Sequence, residues 1–525
     1  MVDAAPDLLT LVRGAAARMG AAPLFGVGDE VLSAAEFATA VHEVAAGLAA
    51  AGLQPGDRLV VLLPRGLAEA VVSLAAATIG GLAVPLHARL KDDQIRHVLA
   101  DCEPFAVVTD ALRLLALQDP GTTLSGARVF LADAAPVASG LRAESLPRGG
   151  AAEGAALPAP APRAPALLLY TSGSTGRAKG IVQDHHNLAL GAALVADYLG
   201  LGPDDHILAV LPFSFDYGLN QLLSALHAGC RISAADHLGA GELAQLLLHH
   251  RPSGLAGVPS LWHEVAVGLT GGLLTADHGR SLRYVTNSGG ALRPSDAAVL
   301  RQHWPHVAVF AMYGLTEAFR SAFLPPAEFD AFPTSFGRAL PGVELLLVSP
   351  TTGQVLEGAA TGELVHAGAL VAHGYWRRPA DDATRFRSDP RGCPGRVVYS
   401  GDIVRRDDGG RLYFVGRADR LLKVQGHRVS PDEVAMAVAG MPGVGEVAVF
   451  GIDGGAAGHH IVLCCGGDPE DATLRAAIQR RCRARLPSYM QPTAVHVLTT
   501  LPHNQNGKVD EAALRASIPP CTDVT

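Results

Sequence analysis

A loop of glycines, hydroxyl side chains and one lysine begins where a buried strand ends, and this combination restricts the fold more than any other stretch. The apolar run 166–169 predicts the strand, and the loop extends from Tyr170 to Gly180. Glycines let a backbone turn tightly and bring its N–H groups close to an anion, and hydroxyls add further donors. The loop is therefore predicted to hold a polyphosphate through Thr171, Ser172, Gly173, Ser174, Thr175, Gly176 and Lys179.

The spacing of this loop differs from that of the common phosphate-binding loop. That loop requires a lysine directly after a glycine and then a serine or threonine. Here Lys179 stands three residues after Gly176 and precedes Gly180. A flexible Ser/Gly linker is the alternative interpretation, but linkers seldom begin directly after a buried strand or end in Lys-Gly.

Length and composition limit the class of protein. The chain has 525 residues, of which 49% are hydrophobic and 18% charged, so two or three packed domains are expected. A net charge of −8 without a basic cluster argues against nucleic acid as a partner. The seven scattered cysteines include no Cys-x-x-Cys pair, and histidine pairs such as His185-His186 have no convergent ligand spacing, so neither a disulfide framework nor a zinc site is expected.

Membrane and export signals are not apparent in the sequence. The N-terminal segment carries acids where a signal peptide needs cations, and no apolar stretch is long enough to span a bilayer. The prediction is a cytoplasmic protein without a membrane span.

Predicted strands and helices alternate in the first part of the chain. Ser33 and Glu36 form a capping box that starts a helix ending near Ala51. Further on, strands at 58–63, 82–86 and 105–109 alternate with helices at 68–79 and 92–102. This order predicts a parallel sheet covered on both faces. An Ala/Pro/Gly-rich segment at about 134–165 is predicted to be an exposed, mobile connection.

Three later stretches carry candidate site residues. A strand at about 206–211 delivers Phe213, Phe215 and Asp216 to a loop, which precedes a helix predicted at 221–228. A carboxylate among aromatics is either paired with a cation or waiting for one, although Asp216 as a helix N-cap before Tyr217 is a serious alternative.

The stretches 284–292 and 307–318 follow a pattern of strand, turn and helix. Gly289-Gly290 permits close backbone approach to a flat ligand, and Tyr313 offers a ring to stack on it. Thr316 supplies a hydroxyl, and Glu317 an oxygen ligand suited to magnesium beside phosphates.

The remaining chain predicts an antiparallel element and then a small α+β unit. Segments 362–368 and 374–379 are predicted strands and turns of the antiparallel element, Asp402 lies at a predicted tight turn, and residues 407–410 form a hairpin turn. Ser430 caps a helix to about 440. Strands at 446–450, 461–465 and 493–498 and helices at 471–486 and 509–518 complete the unit, with Lys508 on a turn before the last helix.

Taken together, six of these motifs occur in the order found in the adenylate-forming superfamily, which the chain resembles over nearly its whole length. That family includes acyl-CoA synthetases, luciferases and the adenylation domains of peptide synthetases. The resemblance implies an α/β fold with a large N-terminal region, 1–417, of parallel and mixed sheets, and a mobile C-terminal cap, 418–525. It also implies two half-reactions: ATP and a carboxylic acid give an acyl-adenylate and pyrophosphate, and a thiol then takes the acyl group.

The resemblance also implies roles for individual residues. The loop Thr171–Lys179 would hold the β- and γ-phosphates, Thr316 the α-phosphate and Glu317 the magnesium ion. The adenine would lie by Gly290, Ala291, Tyr313 and Gly314, the ribose by Asp402 and Arg417, and the acid by Phe213, Phe215, Asp216, Ser288 and Gly289. Lys508 would stabilise the adenylation transition state. Asp419 matches the hinge about which the cap turns, so that the loop with Gly426 and Arg428 replaces Lys508 for the thiol step.

Three departures from the family pattern concern Ala178, which replaces a usual proline, Ala311, which replaces a polar residue near adenine, and Phe215-Asp216. Amino-acid-activating relatives often place an aspartate after a Phe here to pair with the substrate ammonium. The sequence around Asp216 and Gly426 is more similar to that of bacterial acyl-CoA ligases of biosynthetic clusters.

The favoured prediction is therefore an acyl-CoA ligase acting on an unspecified acid, with CoA as acceptor. The alternative is an amino-acid adenylation enzyme that loads the phosphopantetheine of a separate, stand-alone acyl carrier protein, because no carrier domain is expected within the chain. A luciferase-like oxygenase has no positive support. A non-catalytic nucleotide-binding module would be expected to lose Lys508 or Glu317, and both are present.

Overall fold

The computed structural model describes most of the chain. The described residues are 7–88, 90–117, 119–133, 143–149, 160–172, 178–237, 239–418, 422–424, 427–453, 459–486, 490–504 and 509–518. Within them, every helix is too short or too polar to span a lipid bilayer.

The described residues form sixteen α-helices and two short 3₁₀ helices. The α-helices are α1 (Leu8–Met19), α2 (Ala34–Ala50), α3 (Leu67–Thr78), α4 (Asp92–Cys102), α5 (Ala111–Leu115), α6 (Pro120–Thr123), α7 (His185–Leu199), α8 (Asp216–Ala228), α9 (Ala240–His250), α10 (Pro259–Thr270), α11 (Pro294–His303), α12 (Pro326–Phe329), α13 (Pro379–Arg385), α14 (Pro431–Val438), α15 (Ala472–Arg485) and α16 (Glu511–Ser517). The 3₁₀ helices are Ala276–Gly279 and Thr316–Ala318.

The strands in the described residues number twenty-eight. They are β1 (Pro23–Val27), β2 (Glu30–Ser33), β3 (Arg58–Leu62), β4 (Leu82–Pro85), β5 (Ala106–Thr109), β6 (Val129–Leu131), β7 (Ala143–Ser145), β8 (Pro165–Ser172), β9 (Ala178–Asp184), β10 (His206–Ala209), β11 (Arg231–Ala234), β12 (Gly254–Gly257), β13 (Tyr284–Asn287), β14 (Ala308–Tyr313), β15 (Ala322–Leu324), β16 (Arg338–Ala339), β17 (Val343–Val348), β18 (Val355–Leu356), β19 (Ala360–Gly368), β20 (Gly374–Tyr375), β21 (Phe386–Ser388), β22 (Arg396–Arg406), β23 (Leu412–Arg417), β24 (Leu422–Val424), β25 (His427–Val429), β26 (Val447–Asp453), β27 (His459–Gly466) and β28 (Ala494–Leu498).

Two large mixed sheets form the bulk of the molecule. One has the strand order β20-β9-β8-β4-β3-β5-β6-β7, and the other β16-β15-β14-β13-β12-β10-β11-β1-β2. The largest apolar core contains residues from both sheets and from α1, α2, α3, α7 and α8. Aromatic contacts tie its parts together, since Phe25 stacks on Phe37 and meets the ring of Phe213 edge-on. Burial of this apolar surface is the main force that holds the two sheets together.

A third sheet and a smaller unit follow along the chain. The third sheet has the order β18-β17-β19-β22-β21, with β23 paired to β22. The strands β24 and β25 form a short ribbon, and β26-β27-β28 form a sheet that packs on α14 and α15 around its own core. These layers confirm the predicted fold class of mixed α/β sheets, an antiparallel element and a small α+β unit.

Most predicted elements lie within two residues of their observed bounds. The Ser33–Glu36 capping box is formed, and α2 ends one residue before the predicted end. Ser430 accepts a hydrogen bond from the N–H of Glu433 at the start of α14, as the cap predicts. Side chains that cap a helix lie within a few residues of its start, so these helix starts could be predicted without knowledge of tertiary contacts.

Other expectations about elements were wrong. The predicted loop at Asp216 is the first turn of α8, which starts five residues before the predicted helix, with Phe215 as N-cap. Asp402 lies inside the long strand β22, after Gly401 with φ +72°, and not at a turn between elements.

Two pairings also differ from the prediction. Gly374 and Tyr375 pair with β9 of the first large sheet, outside the third sheet. In the Ala/Pro-rich segment, residues 143–145 form an edge strand, and the backbone at Pro147 packs against Gly47 of α2, so this part of the connection belongs to the fold. Residues 134–142 and 150–159 lie outside the described ones.

Candidate active site

The predicted phosphate loop connects two antiparallel strands. β8 pairs with β9 so that Thr171 lies opposite Lys179 and Tyr170 opposite Gly180. β8 also pairs with β4 in the interior of its sheet. Gly173, Ser174, Thr175, Gly176 and the side chain of Ser172 lie outside the described residues. The structure thus provides the anchors of the loop and the lysine that follows it.

Lys179 is held by a partner that sequence analysis missed. Its Nζ lies 2.7 Å from Oδ1 of Asp381 in α13, and 5.4 Å from the centroid of the Tyr375 ring. The lysine side chain is only 13% exposed. The same aspartate has an Oδ2 atom 3.7 Å from Arg378. A carboxylate therefore lies against the cation at the predicted position of the phosphates.

Tyr375 joins Lys179 to Glu317. The Tyr375 hydroxyl donates a hydrogen bond of 2.6 Å to Oε1 of Glu317. The backbone around Glu317 is fixed from two sides, because its carbonyl accepts from the N–H of Ala372 at 2.9 Å and the carbonyl of Thr316 accepts from the Gln183 amide. The structure therefore brings Lys179, Thr316 and Glu317 together at one edge of the β8–β9 hairpin.

Glu317 fits the donor set of a magnesium site that is shared with a nucleotide. Magnesium in proteins often has one or two carboxylate ligands and completes its coordination with phosphate oxygens and water. Among the described residues, no group of three or more histidine, cysteine, aspartate or glutamate side chains converges as a metal site. One carboxylate beside a lysine suits an ion that arrives with a polyphosphate.

A second cluster lies where β14 meets the third sheet. The Tyr313 hydroxyl donates to Oδ2 of Asp402, and Arg417 Nη1 lies 3.0 Å from Oδ1 of the same carboxylate. Burial raises the pKa of the Asp402 carboxyl, and the charge of Arg417 opposes this shift. The Tyr313 ring also stacks on Phe336 at 4.5 Å and lies 5.8 Å from the ring of His366.

Parallel strands bring the two predicted Gly- and Tyr-containing stretches side by side. β13 pairs with β14 in parallel, with Asn287 opposite Ala311, so both strands end at the same edge. The turn after β13 contains Gly289 with φ +79°, and Asn287 donates to the carbonyl of Gly290 at 2.9 Å. Gly289, Gly290 and Ala291 are exposed, Gly314 is half-buried and Ser288 is buried. The predicted adenine and acid residues therefore share one rim, and their contacts with ligands stay predictions.

The head of α8 contains a buried ion pair. Arg320 Nη1 lies 3.7 Å from Oδ2 of Asp216, and Arg320 Nη2 donates to the Asp216 carbonyl at 3.2 Å. The Asp216 carboxylate also accepts from the N–H of Tyr217 at 2.8 Å, so it contributes to capping from the first helical position. Of the two sequence alternatives, a paired carboxylate is the closer description. The side chain of Phe213 is buried in the core against Phe25, and its predicted place in the acid pocket stays a prediction.

A small cavity of about 20 Å³ lies beside α8. Its polar wall includes Tyr217, Asn220 and Gln221, and Tyr217 donates to or accepts from the Thr286 hydroxyl of β13. The side-chain nitrogens of Asn220 and Gln221, and the oxygen of Gln221, have no hydrogen-bond partner among the described residues. Buried polar groups of this kind are usually satisfied by water or a ligand.

Some residues of the candidate site were missed by the sequence analysis for identifiable reasons. The spacing 217, 220, 221 and 224 places four polar side chains on one face of α8, and this periodicity was available in the sequence. Arg320, Tyr375 and Asp381 lie in no motif that the sequence analysis singled out for chemistry. Lys508, Asp419, Gly426 and the side chain of Arg428 lie outside the described residues, so their predicted roles stay predictions.

Comparison with known proteins places the chain among enzymes that use ATP. The AMP-binding enzyme family matches residues 12–376, and the AMP-binding enzyme C-terminal domain matches residues 433–508. An L-proline–[L-prolyl-carrier protein] ligase of Streptomyces coelicolor is 32% identical over 99% of this chain and 98% of its own length. Surfactin synthase subunit 2 of Bacillus subtilis is 28% identical over 93% of this chain, which spans 13% of that protein.

Solved structures agree with these matches. ATP-bound MatB from Rhodopseudomonas palustris superposes with a TM-score of 0.84 and 26% identity, covering 97% of this chain and 98% of its own. The anthranilate CoA ligase AuaEII has the same fold, with a TM-score of 0.83 at 21% identity over 97% of this chain and 96% of its own. With its phosphate-loop anchors, its Lys179–Tyr375–Glu317 cluster and two family matches that cover most of its length, the chain belongs to the AMP-binding family of adenylate-forming ligases.

Proposed function

We propose that this enzyme activates a carboxylic acid with ATP and passes the acyl group to the thiol of CoA. In the first step a carboxylate oxygen attacks the α-phosphorus of ATP, and the bond to pyrophosphate breaks. In the second step the thiol sulfur attacks the acyl carbon, a thioester forms, and AMP leaves. The observation that carries the proposal is the cluster in which Tyr375 links the Lys179 ammonium to the Glu317 carboxylate.

The two charged groups of this cluster have separate tasks. ATP and a carboxylate repel each other, so the site has to supply cations and hydrogen-bond donors. Lys179 would bind the β- and γ-phosphates and Thr316 the α-phosphate, while Glu317 would hold a magnesium ion that neutralises phosphate charge. The hydroxyl of Tyr375 fixes the carboxylate that this ion needs.

The paired carboxylate of Asp402 suits the ribose. Asp402 is anchored by Tyr313 and Arg417, and it lies in β22 opposite the end of β23. A carboxylate held in place by two donors keeps accepting capacity for hydroxyl groups of a sugar. Arg417 ends β23, where the proposed boundary between the core (1–417) and the cap (418–525) lies.

Lys508 is proposed to stabilise the charge that develops during adenylation. Lys508→Ala is expected to lower acid-dependent ATP–pyrophosphate exchange by about 100-fold or more, because a cation aimed at developing charge contributes most in the transition state. The chain has only four lysines, and Lys91 lies exposed before α4, so Lys91→Ala is a matched control. Exchange at the wild-type rate in the Lys508→Ala enzyme would refute the proposed chemistry.

A second candidate function is loading of an amino acid on the phosphopantetheine thiol of a separate carrier protein. The full-length similarity to a prolyl-carrier protein ligase favours it. One experiment separates the two: the enzyme is loaded with ATP and a radiolabelled acid, and the label is then chased with CoA or with a phosphopantetheinylated carrier protein. Faster transfer to CoA supports the first proposal, and transfer only to the carrier supports the second.

A further inference from the structure

A buried cation packs on the head of α8, beside Asp216, the carboxylate that the resemblance implies as the partner of a substrate ammonium. The side chains of Arg320 and Asp216 are 4% and 5% exposed. Arg320 contacts Asp216 twice, at the carboxylate through Nη1 and at the backbone carbonyl through Nη2. A buried carboxylate and a buried guanidinium stabilise each other only as a pair, because either charge alone would be poorly solvated.

Aromatic rings hold the guanidinium in this position. Its central carbon lies 5.2 Å from the centroid of the Tyr217 ring and 5.4 Å from that of Phe319. Such contacts with a ring face favour a cation. Phe319 is itself fixed, since it has φ +34°, is fully buried, and lies so close to Gly191 that a Cβ there would be 2.4 Å from its ring.

The placement of the pair connects it to the reacting end of the site. Arg320 follows Glu317 by three residues, at the exit of the 3₁₀ helix that carries Thr316. On the other side, Tyr217 binds the Thr286 hydroxyl, one residue before the end of β13 and two before Ser288. The chain therefore connects the pair on one side to the proposed metal ligand and on the other, through Tyr217, to the strand that leads into the proposed acid-binding turn.

We infer that Arg320 determines the class of acid: it selects acids that carry no ammonium group at the head of α8. This inference rests on the proposed function and decides between its two candidates. An amino acid bound with its ammonium at Asp216 would place two cations on one buried carboxylate, and like charges in a buried site repel strongly. An acid without the ammonium leaves the Asp216–Arg320 pair intact.

The remaining donor of Arg320 fits the same class. Its Nε is buried and has no hydrogen-bond partner among the described residues. A free donor needs an acceptor, such as an oxygen of the ligand or of water, and an ammonium supplies only more donors. The polarity of this end of the site therefore favours an oxygen over a cationic nitrogen.

The test compares matched acids by ATP–pyrophosphate exchange. The pairs are L-proline with cyclopentanecarboxylate, L-valine with 3-methylbutanoate, and L-phenylalanine with 3-phenylpropanoate. In the wild type, the member without the amino group is expected to have a kcat/KM at least about tenfold higher in every pair that supports exchange. A preference for the amino acids would overturn the inference and leave adenylation itself established.

Two variants assign that preference to Arg320. Arg320→Met keeps the length of the side chain and removes the charge, so the preference for the unsubstituted acid is expected to fall by about tenfold or more. Arg320→Lys keeps a cation and should retain the preference. Melting temperature and ATP binding report whether each variant folds. If Arg320 had a purely structural role, Arg320→Met would lower kcat/KM for both acids of a pair and leave the ratio of the two values unchanged. That result would refute the inference.

Failure of the proposed function has a different signature. If no acid of either kind drives exchange in the wild type, adenylation is refuted and the assignment of Arg320 falls with it. If exchange occurs and only the ratio fails to respond to Arg320→Met, the assignment alone is wrong.

Discussion

Glu69 is a carboxyl group that the fold keeps away from water. It lies in the first turn of α3, is 2% exposed, and has an Oε2 atom without a hydrogen-bond partner among the described residues. Burial raises its pKa from 4.5 to about 8, although the charge of Arg65 opposes the shift. The folded protein therefore keeps a proton on this group over a pH range in which the unfolded chain has lost it.

We predict that Glu69→Gln stabilises the protein increasingly as the pH rises from 5 to 8. The pKa of Glu69 is raised in the folded state. Its protonation therefore contributes fully to the stability of the wild type below pH 4.5, and this contribution is lost as the pH rises through about 8. At pH 8 the free energy of unfolding of the variant should exceed that of the wild type by on the order of 1–3 kcal/mol. Urea unfolding at pH 5, 7 and 8 measures the difference. The exposed Glu30→Gln is the control, and a gain that does not change with pH would contradict the prediction.

The Lys179–Asp381 pair gives a second prediction at the scale of single residues. Lys179→Met should raise the KM for ATP by about tenfold, because the phosphates lose a cation and meet the carboxylate of Asp381 without its lysine partner. Adding Asp381→Asn to that variant removes the carboxylate charge and should recover part of the loss. Initial rates of exchange at varied ATP measure both values. A double variant worse than the single one would show that Asp381 does not repel the phosphates.

At the scale of elements, helix α8 is seated by a close contact near its first turn. A Cβ on Gly218 would lie 2.0 Å from the carbonyl oxygen of Pro212, so only glycine allows this approach. The contact fixes the head of the helix, where Asp216 begins α8 and Phe215 caps it. The contact between Gly218 and Pro212 therefore sets the position of α8 at the predicted acid pocket.

Gly218→Ala should test this seat. The variant is expected to lose about 1–3 kcal/mol of unfolding free energy from overpacking. It should also raise the KM for the acid, while the KM for ATP changes less than about twofold, since the phosphate residues lie on other elements. Ala228→Gly, at the far end of the same helix, costs helix propensity without touching the pocket and serves as control. Equal changes in both KM values would speak against a local effect.

At the scale of the whole molecule, the proposed function has two reactions, and the resemblance implies that they share one site and that the cap turns between them. Gly426→Val should slow transfer of the acyl group to the thiol by about tenfold or more while leaving exchange nearly unchanged, because a branched side chain obstructs the loop used for the second step. Lys508→Ala should show the opposite pattern. Single-turnover transfer from preformed acyl-adenylate measures the second step separately. Loss of both activities in the Gly426→Val enzyme would contradict separate roles for the two faces of the cap.

Local signals explain how much of the fold was predictable. The Ser33–Glu36 capping box, the Ser430 cap, the apolar strands and the hairpin turn at 407–410 each depend on residues within a few positions of one another, and the structure confirms them. The bounds of α8 were wrong because the helix starts at Asp216, with no hydrogen bond from the Phe215 side chain to mark its cap. Tertiary packing of Gly218 against Pro212 replaces that signal.

What the sequence determined by itself is the family, the order of its motifs and the identity of the charged groups, because each motif is a short run whose spacing is visible in the chain. Which of these groups come into contact depends on the tertiary packing. Lys179 contacts Asp381, which is 202 positions away along the chain. Tyr375 contacts Glu317 at a separation of 58 positions, and Arg320 contacts Asp216 at a separation of 104. Pairings over such separations depend on how the sheets and helices pack, and no local pattern records them. The proposed selection against an ammonium follows from one of these pairings.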